Sequence, residues 1–145
     1  MTEKQTIPAP QSASELVGIL QLDDVRPVSL NATMHWDGRD ESETSTELGV
    51  KEQHGDKTLL VTMTASHKGQ LGDFEVAYTA RYDAPEEITF LAEPVREFIE
   101  KVAAMALIPY VRAGLADVTA NFRVGAITLP MIRAGEFQIG SPSAE

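Results

Sequence analysis

The chain has 145 residues, enough for one domain with a real hydrophobic core, and 43% of them are apolar. With 22 acidic against 12 basic residues the formal charge is −10, which disfavours nucleic acid and anionic membranes as partners, because both are bound through clustered Lys and Arg. The absence of cysteine excludes disulfides, thiolate metal sites and Cys nucleophiles.

Residues 1–14, with Pro8, Pro10 and several Ser and Thr, lack the apolar content to order themselves, so a flexible tail is expected. Nothing in this stretch resembles the apolar core of a signal peptide, and no apolar run reaches the ~20 residues of a membrane span. A soluble cytoplasmic protein, not inserted in a membrane, is the expectation. Glu15 to Leu22 reads as a short helix or an extended lead-in.

Strand signals begin at Arg26. Val28, Leu30, Ala32, Met34 and Trp36 alternate with Ser29, Asn31, Thr33 and His35, the period of a half-buried strand. The polar run Asp37 to Ser45 follows as a turn and loop. A second strand, about Glu47 to Gln53, and a turn at His54-Gly55-Asp56-Lys57 lead to a third strand, Thr58 to Ser66. After the turn Lys68 to Asp73, the fourth strand sets Phe74, Val76, Tyr78, Ala80 and Tyr82 against Glu75, Ala77, Thr79 and Arg81. Short connections favour antiparallel pairing, so the reading is a meander with one apolar and one polar face.

Beyond Pro85 the period changes. Leu91, Val95, Phe98, Val102 and Met105 recur at spacings of three and four, the stripe of an amphipathic helix. Ile108, Val111, Leu115, Val118 and Phe122 continue it past Pro109. A proline inside a helix removes a donor and crowds the carbonyl four residues back, here that of Met105, at a cost of about 3 kcal/mol. Pro109 therefore either kinks one long helix or opens a second one. Gly125 to Gly140 reads as a loop with a short extended piece, and 141–145 as a frayed end.

The expected architecture is α+β: a four-stranded antiparallel meander sheet packed on a long Pro-kinked helix, with a second helix short or absent, in a single domain over residues 15–140. One helix cannot cover a four-stranded face and also bury a second side of its own. The surplus apolar residues Ile99, Ala103, Ala106, Leu107 and Tyr110 imply a further copy of the chain, with two-fold symmetry as the usual arrangement.

No constellation in the sequence argues for an enzyme. His35, His54 and His67 do not stand at metal-ligand spacing. Asp23-Asp24 and Asp40 to Glu43 lack the pattern of a calcium loop, and Glu93, Glu97 and Glu100 read as a solvated helix face. No nucleophile elbow or phosphate loop occurs, since Gly69-Gln70-Leu71-Gly72 is a hairpin turn. Apolar residues of the final loop, Val124, Ile127, Leu129 and Met131, lie outside regular elements, where exposed hydrophobes mark binding grooves.

At Leu107-Ile108-Pro109-Tyr110-Val111-Arg112 and the downstream Ala126-Ile127-Thr128-Leu129-Pro130 the chain resembles the SecB family of export chaperones. Leu60 to Ser66 looks like that family's central strand and Val25 to Asn31 its first, so the resemblance spans residues 16–132. It implies a sheet backed by a long helix, assembled as a homotetramer of two dimers, which holds unfolded or nascent polypeptides in apolar grooves without nucleotide or cofactor. The residues then expected to bind peptide are Leu107, Tyr110, Val111, Val124, Ile127, Leu129 and Met131. Those expected at the oligomer interface are Val28, Leu30, Phe98, Val102 and Met105. The family carries acidic residues for its export motor ATPase where Pro27, Asn31 and Ala77 stand here, so the motor is only weakly implied as a partner. Met131 to Gly140 is also shorter than the family's second helix. Both departures resemble the solitary SecB-like chaperones that serve toxin–antitoxin systems, with an antitoxin as dedicated client. Two other readings are an interaction protein that kept the fold without holding clients, and a small-molecule-binding domain or enzyme with a closed pocket.

Overall fold

The computed structural model describes residues 9–35, 45–69 and 71–121. Trp36, Phe122, the acidic loop and the C-terminal loop and tail lie outside them. Order begins earlier than the composition suggests. Pro10 is fully buried, and Ser12 caps helix α1 (Ala13–Ile19) by accepting a hydrogen bond from the Glu15 backbone N–H at 3.2 Å. Apolar burial of Ala13, Leu16 and Leu20 fixes this segment to the core.

Four strands follow: β1 (Gln21–Met34), β2 (Ser45–His54), β3 (Thr58–Lys68) and β4 (Gly72–Asp83). Every pairing is antiparallel, as expected, and β2, β3 and β4 are joined as hairpins. One connection departs from the expected meander. The sheet order is β1-β4-β3-β2, so β1 lies beside β4 rather than beside β2. β1 and β2 are therefore separated by about three strand spacings, ~14 Å, and are not joined as a hairpin.

Gly72 opens β4 where space allows no side chain. A Cβ there would lie 2.7 Å from the Thr33 carbonyl oxygen, a backbone atom that cannot move without shifting the β1–β4 register. On the inner face of the sheet Leu59, Val61, Met63 and Ala65 of β3 and Phe74, Val76, Ala80 and Tyr82 of β4 form the core. The opposite face is polar and carries Thr62, Thr64, Thr79 and Arg81.

The simple alternation expected in β1 does not survive. Register shifts between Leu22 and Asp24, and again between Pro27 and Ser29, leave Asp23 and Val28 as extra, bulged residues. Pro27, Leu30 and Ala32 lie opposite the inward-facing Tyr78, Val76 and Phe74. Val28 instead lines a groove on the polar face, with Thr62 and Thr79. A slip of one residue reverses the face of a side chain. Val28 and Leu30, in phase in the sequence, therefore sit on opposite sides of the sheet.

The helical part is one rod. Helix α2 (Ala92–Phe98) passes into a π-helical turn (Ile99–Ala103) and then into α3 (Ala104–Asn121), which contains Pro109. Pro109 thus lies inside one continuous helix and does not open a second. No uninterrupted apolar run reaches the length of a membrane span, as read from the sequence, but by length and mean composition the 30-residue rod would suffice to cross a membrane; here it packs on the sheet, as core helices do. The buried positions Val95, Ile99, Ala103, Leu107, Val111, Leu115 and Thr119 recur every four residues. In an ideal α-helix a four-residue step advances about 40°. The π turn, which closes i→i+5 instead of i→i+4, absorbs part of this drift and shifts the buried stripe by one residue. Ile99, Ala103 and Leu107, expected as surplus, take core positions, while Val102 and Met105, expected on the main stripe, move to its flank and are only partly buried. Buried Thr119 satisfies its hydroxyl by donating to the Leu115 carbonyl at 2.8 Å.

Candidate functional site

The rod crosses β4 and touches β1 and β3, leaving β1 as an edge strand only partly covered. Leu22 is 49% exposed and Leu30 52% exposed, although both pair with inward-facing residues of β4. At the same edge Tyr78, opposite Pro27, lies with its ring centroid 6.1 Å from that of Tyr110, which is 47% exposed. Gly114 makes this possible, because a Cβ there would stand 2.5 Å from the Tyr78 hydroxyl oxygen. The result is a strip along the edge strand in which Leu22, Leu30 and Tyr110 are exposed and Tyr78 is partly buried beside Tyr110. Tyr rings suit such a place, since their bodies are apolar and their hydroxyls stay wet. Exposed apolar side chains gathered on one edge mark a place of association.

The residues expected to bind peptide divide into three groups. Tyr110 is accessible. Leu107 and Val111 are fully buried in the protomer's own core, so they support the surface from beneath and touch no client in this arrangement. Val124, Ile127, Leu129 and Met131 lie outside the described residues. Among the expected interface residues, Phe98 is 1% exposed and belongs to the core, packed edge-on against Tyr82 at 5.0 Å. Leu30 is exposed at the uncovered edge, and Val28 is exposed on the polar face. The sequence reading missed Leu22 and Tyr78. Leu22 precedes the alternating run, and the Tyr78–Gly114 contact joins positions too distant in the chain for periodicity to link.

The titratable groups show no reactive arrangement among the described residues. His35 Nε2 lies 3.2 Å from Asp73 Oδ2, and His67 Nδ1 is 2.7 Å from Thr46 Oγ1. His54 pairs with Glu52 at 3.1 Å and lies against Phe90, with ring centroids 5.2 Å apart. Glu97 and Glu100 pair with Lys101 and Arg96 along the rod, at 3.4 and 3.5 Å. No group of three His, Asp or Glu among these residues is placed to hold a metal ion. Burial pushes the Tyr82 phenol above its ordinary value.

A sheet with one covered face, a long proline-bearing rod and apolar groups left open at the edge together define a protein that acts by surface association. No protein-family model matches the chain. SmegB, a SecB-like chaperone of Mycolicibacterium smegmatis, is 30% identical over 138 residues, covering 93% of this chain and 90% of the relative. Among solved structures, Rv1957 of Mycobacterium tuberculosis, a SecB-like chaperone in complex with a ChAD peptide from the Rv1956 HigA1 antitoxin, has a TM-score of 0.67 and 17% identity. That match covers 83% of this chain and 96% of the other, and at this identity it is a likeness of fold. The chain belongs to the SecB-like chaperone family.

Proposed function

We propose that the protein is a holdase: it binds unfolded or nascent polypeptide without nucleotide and keeps it from aggregating, with a dedicated client such as an antitoxin. The carrying observation is the full-length relationship to a SecB-like chaperone, supported by the fold shared with a relative solved on an antitoxin peptide. The exposed side chains of Leu22 and Tyr110, with the partly buried Tyr78 beside Tyr110, supply apolar surface for such a task, and the sequence offers Ile127, Leu129 and Met131 as further candidates outside the described residues.

The physics is that of weak, sequence-tolerant burial. About 600 Å² of client apolar surface removed from water gives ~15 kcal/mol gross at 25 cal/mol per Å². Ordering an extended client and losing its free motion cost a large part of that, which leaves affinities in the micromolar range. Such a mechanism requires no catalytic residue and no cofactor, and it fits a cytoplasmic site of action. Clients reach the surface as extended segments, and self-association into a dimer of dimers enlarges it. With Pro27, Asn31 and Ala77 where family members carry acids, a dedicated client is favoured over hand-off to an export motor.

The test is aggregation of a chemically denatured reporter protein, diluted into buffer without ATP. Stoichiometric chaperone should suppress light scattering, and Leu129→Asp with Met131→Asp should abolish suppression while leaving native mass unchanged. An intact oligomer that protects nothing, with or without those substitutions, would replace this reading with that of a structural interaction protein.

A further inference from the structure

The polar face of the sheet holds a groove of about 590 Å³ that the proposed client surface does not use. The bulged residues Asp23 and Val28 of β1 line it together with Asp24 and Arg26. Strand register aligns four side chains across its floor. Arg26 of β1 pairs with Thr79 of β4, Thr79 with Thr62 of β3, and Thr62 with Lys51 of β2. A cation thus stands at each end of two hydroxyls. The two end positions are about three strand spacings apart, ~14 Å, and both side chains are long enough to lean over the centre.

The central pair has a donor to spare. Thr62 Oγ1 and Thr79 Oγ1 are 2.6 Å apart, part-buried, and share one hydrogen bond. One hydroxyl proton is used between them, and the other hydroxyl keeps its proton for an acceptor above the sheet. Along the groove Val28 and Leu60 offer apolar contact, and Arg81 adds a third cation. These are 3 of only 12 basic residues in a chain of charge −10. Asp24 pairs with Arg26, and Arg81 with Asp83 at 3.2 Å and with Asp23 at 3.9 Å, so these carboxylates position both guanidinium groups and offset part of their charge. Lys51 has no ion pair among the described residues. The carboxylates of Asp23, Asp24 and Glu52 on the rim work against a dense polyanion and leave room for a single acidic group.

We propose that this groove docks an acidic peptide segment of a partner protein, seating one carboxylate over the Thr62–Thr79 pair between Arg26 and Lys51 and a neighbouring aliphatic side chain against Val28 and Leu60. The surface lies on the face of the sheet opposite the rod, so it serves a partner distinct from the held client. Charge-assisted bonds from Lys51 and Arg26 supply the selectivity, and the apolar floor supplies contact area.

The test is fluorescence anisotropy of a labelled peptide with one side-chain carboxylate, Gln-Leu-Glu-Asn-Leu-Gln, capped at both ends and titrated with the full chain at low salt, beside its Gln-Leu-Gln-Asn-Leu-Gln counterpart. The acidic peptide should bind at least tenfold more tightly, and Lys51→Glu or Thr62→Val should each weaken it at least fivefold. Both variants should keep the native circular dichroism spectrum and full aggregation protection. Arg26→Gln, at a largely exposed side chain, gives an independent reading should Thr62→Val perturb the fold. Equal binding of the two peptides overturns the proposal, as does unchanged binding by all three variants. Displacement of the peptide by an equal concentration of inorganic phosphate overturns it in favour of a general anion site. A concentration-dependent rise in native mass that Lys51→Glu abolishes overturns it in favour of a second copy. Loss of aggregation protection in wild type, with peptide binding intact, would instead refute the holdase reading and leave this one standing.

Discussion

Tyr82 sets a phenol hydroxyl in the core, where no described residue meets it with a hydrogen bond. Burial raises its pKa above the ordinary 10.0, because the fold accommodates the neutral phenol and penalises phenolate. The group's contribution is therefore complete below about pH 10 and is lost as pH rises through the window between the ordinary and the raised value. Tyr82→Phe removes an unsatisfied polar atom and keeps the ring on Phe98, so stability at pH 7 should change by no more than about 1 kcal/mol, toward stabilisation if at all. Denaturant midpoints measured from pH 8 to 11 should fall in wild type and flatten in the variant. Equal slopes would assign the alkaline loss to other groups. Gly114 works in the opposite sense. Alanine there gains up to about 1 kcal/mol in helix propensity. Its Cβ must also displace the Tyr78 ring, which comes as close as 2.5 Å, an overpacking cost of about 1–3 kcal/mol. The steric term wins, so Gly114→Ala should lower the denaturant midpoint. In a double-mutant cycle Tyr78→Ala should recover part of the loss. Additive effects would show that the ring moves aside freely.

At the scale of elements, the rod explains both what sequence periodicity revealed and what it concealed. Alternation in β3 and β4 and the change of period after Pro85 were legible, because each repeats over many residues and both sheet faces follow it. A bulge or a π turn adds one residue at one place, leaves no composition signal, and re-phases everything beyond it. That is why Val102 and Met105 looked like core and Ile99, Ala103 and Leu107 looked like surplus. It is also why Val28 and Leu30 looked like neighbours on one face. The exposed strip was half legible: Leu30 and Tyr110 stood out as apolar, but Tyr78 and Gly114 meet only once the helix crosses β4. Pro109 sits exposed within α3 and deprives the Met105 carbonyl of its helical donor. Pro109→Ala restores that donor and should raise the thermal midpoint of the protomer by several degrees, out of a maximum of about 3 kcal/mol. If Pro109 is retained to fit a second copy, the same variant should dissociate at higher protein concentration than wild type in native mass measurements. A stabilised variant with unchanged assembly would show that the proline has no part in assembly.

At the scale of the whole molecule, the uncovered edge and the net charge pull against each other. A charge of −10 keeps copies apart at low salt, while β1 offers both an unpaired strand edge and the exposed side chains of Leu22 and Leu30. Edges of that kind are normally blunted by charge or covered. The edge carries Asp23, Asp24 and Arg26 at one end only; from Val28 to Met34 the strand has no charged residue. A second copy pairing with that charge-free half would satisfy backbone donors and cover Leu30 without burying an ion. Salt, by screening the repulsion over about 8–10 Å, should favour association. We therefore expect Leu30→Asp to lower the native mass of the protein and to remove the rise in mass on going from low to physiological salt. Substitution at an exposed edge position should leave the core untouched and the circular dichroism spectrum unchanged. An assembly that keeps its mass and salt response with Asp at position 30 would place the interface elsewhere, with the flank of the rod at Val102, Met105 and Tyr110 as the surface to test next.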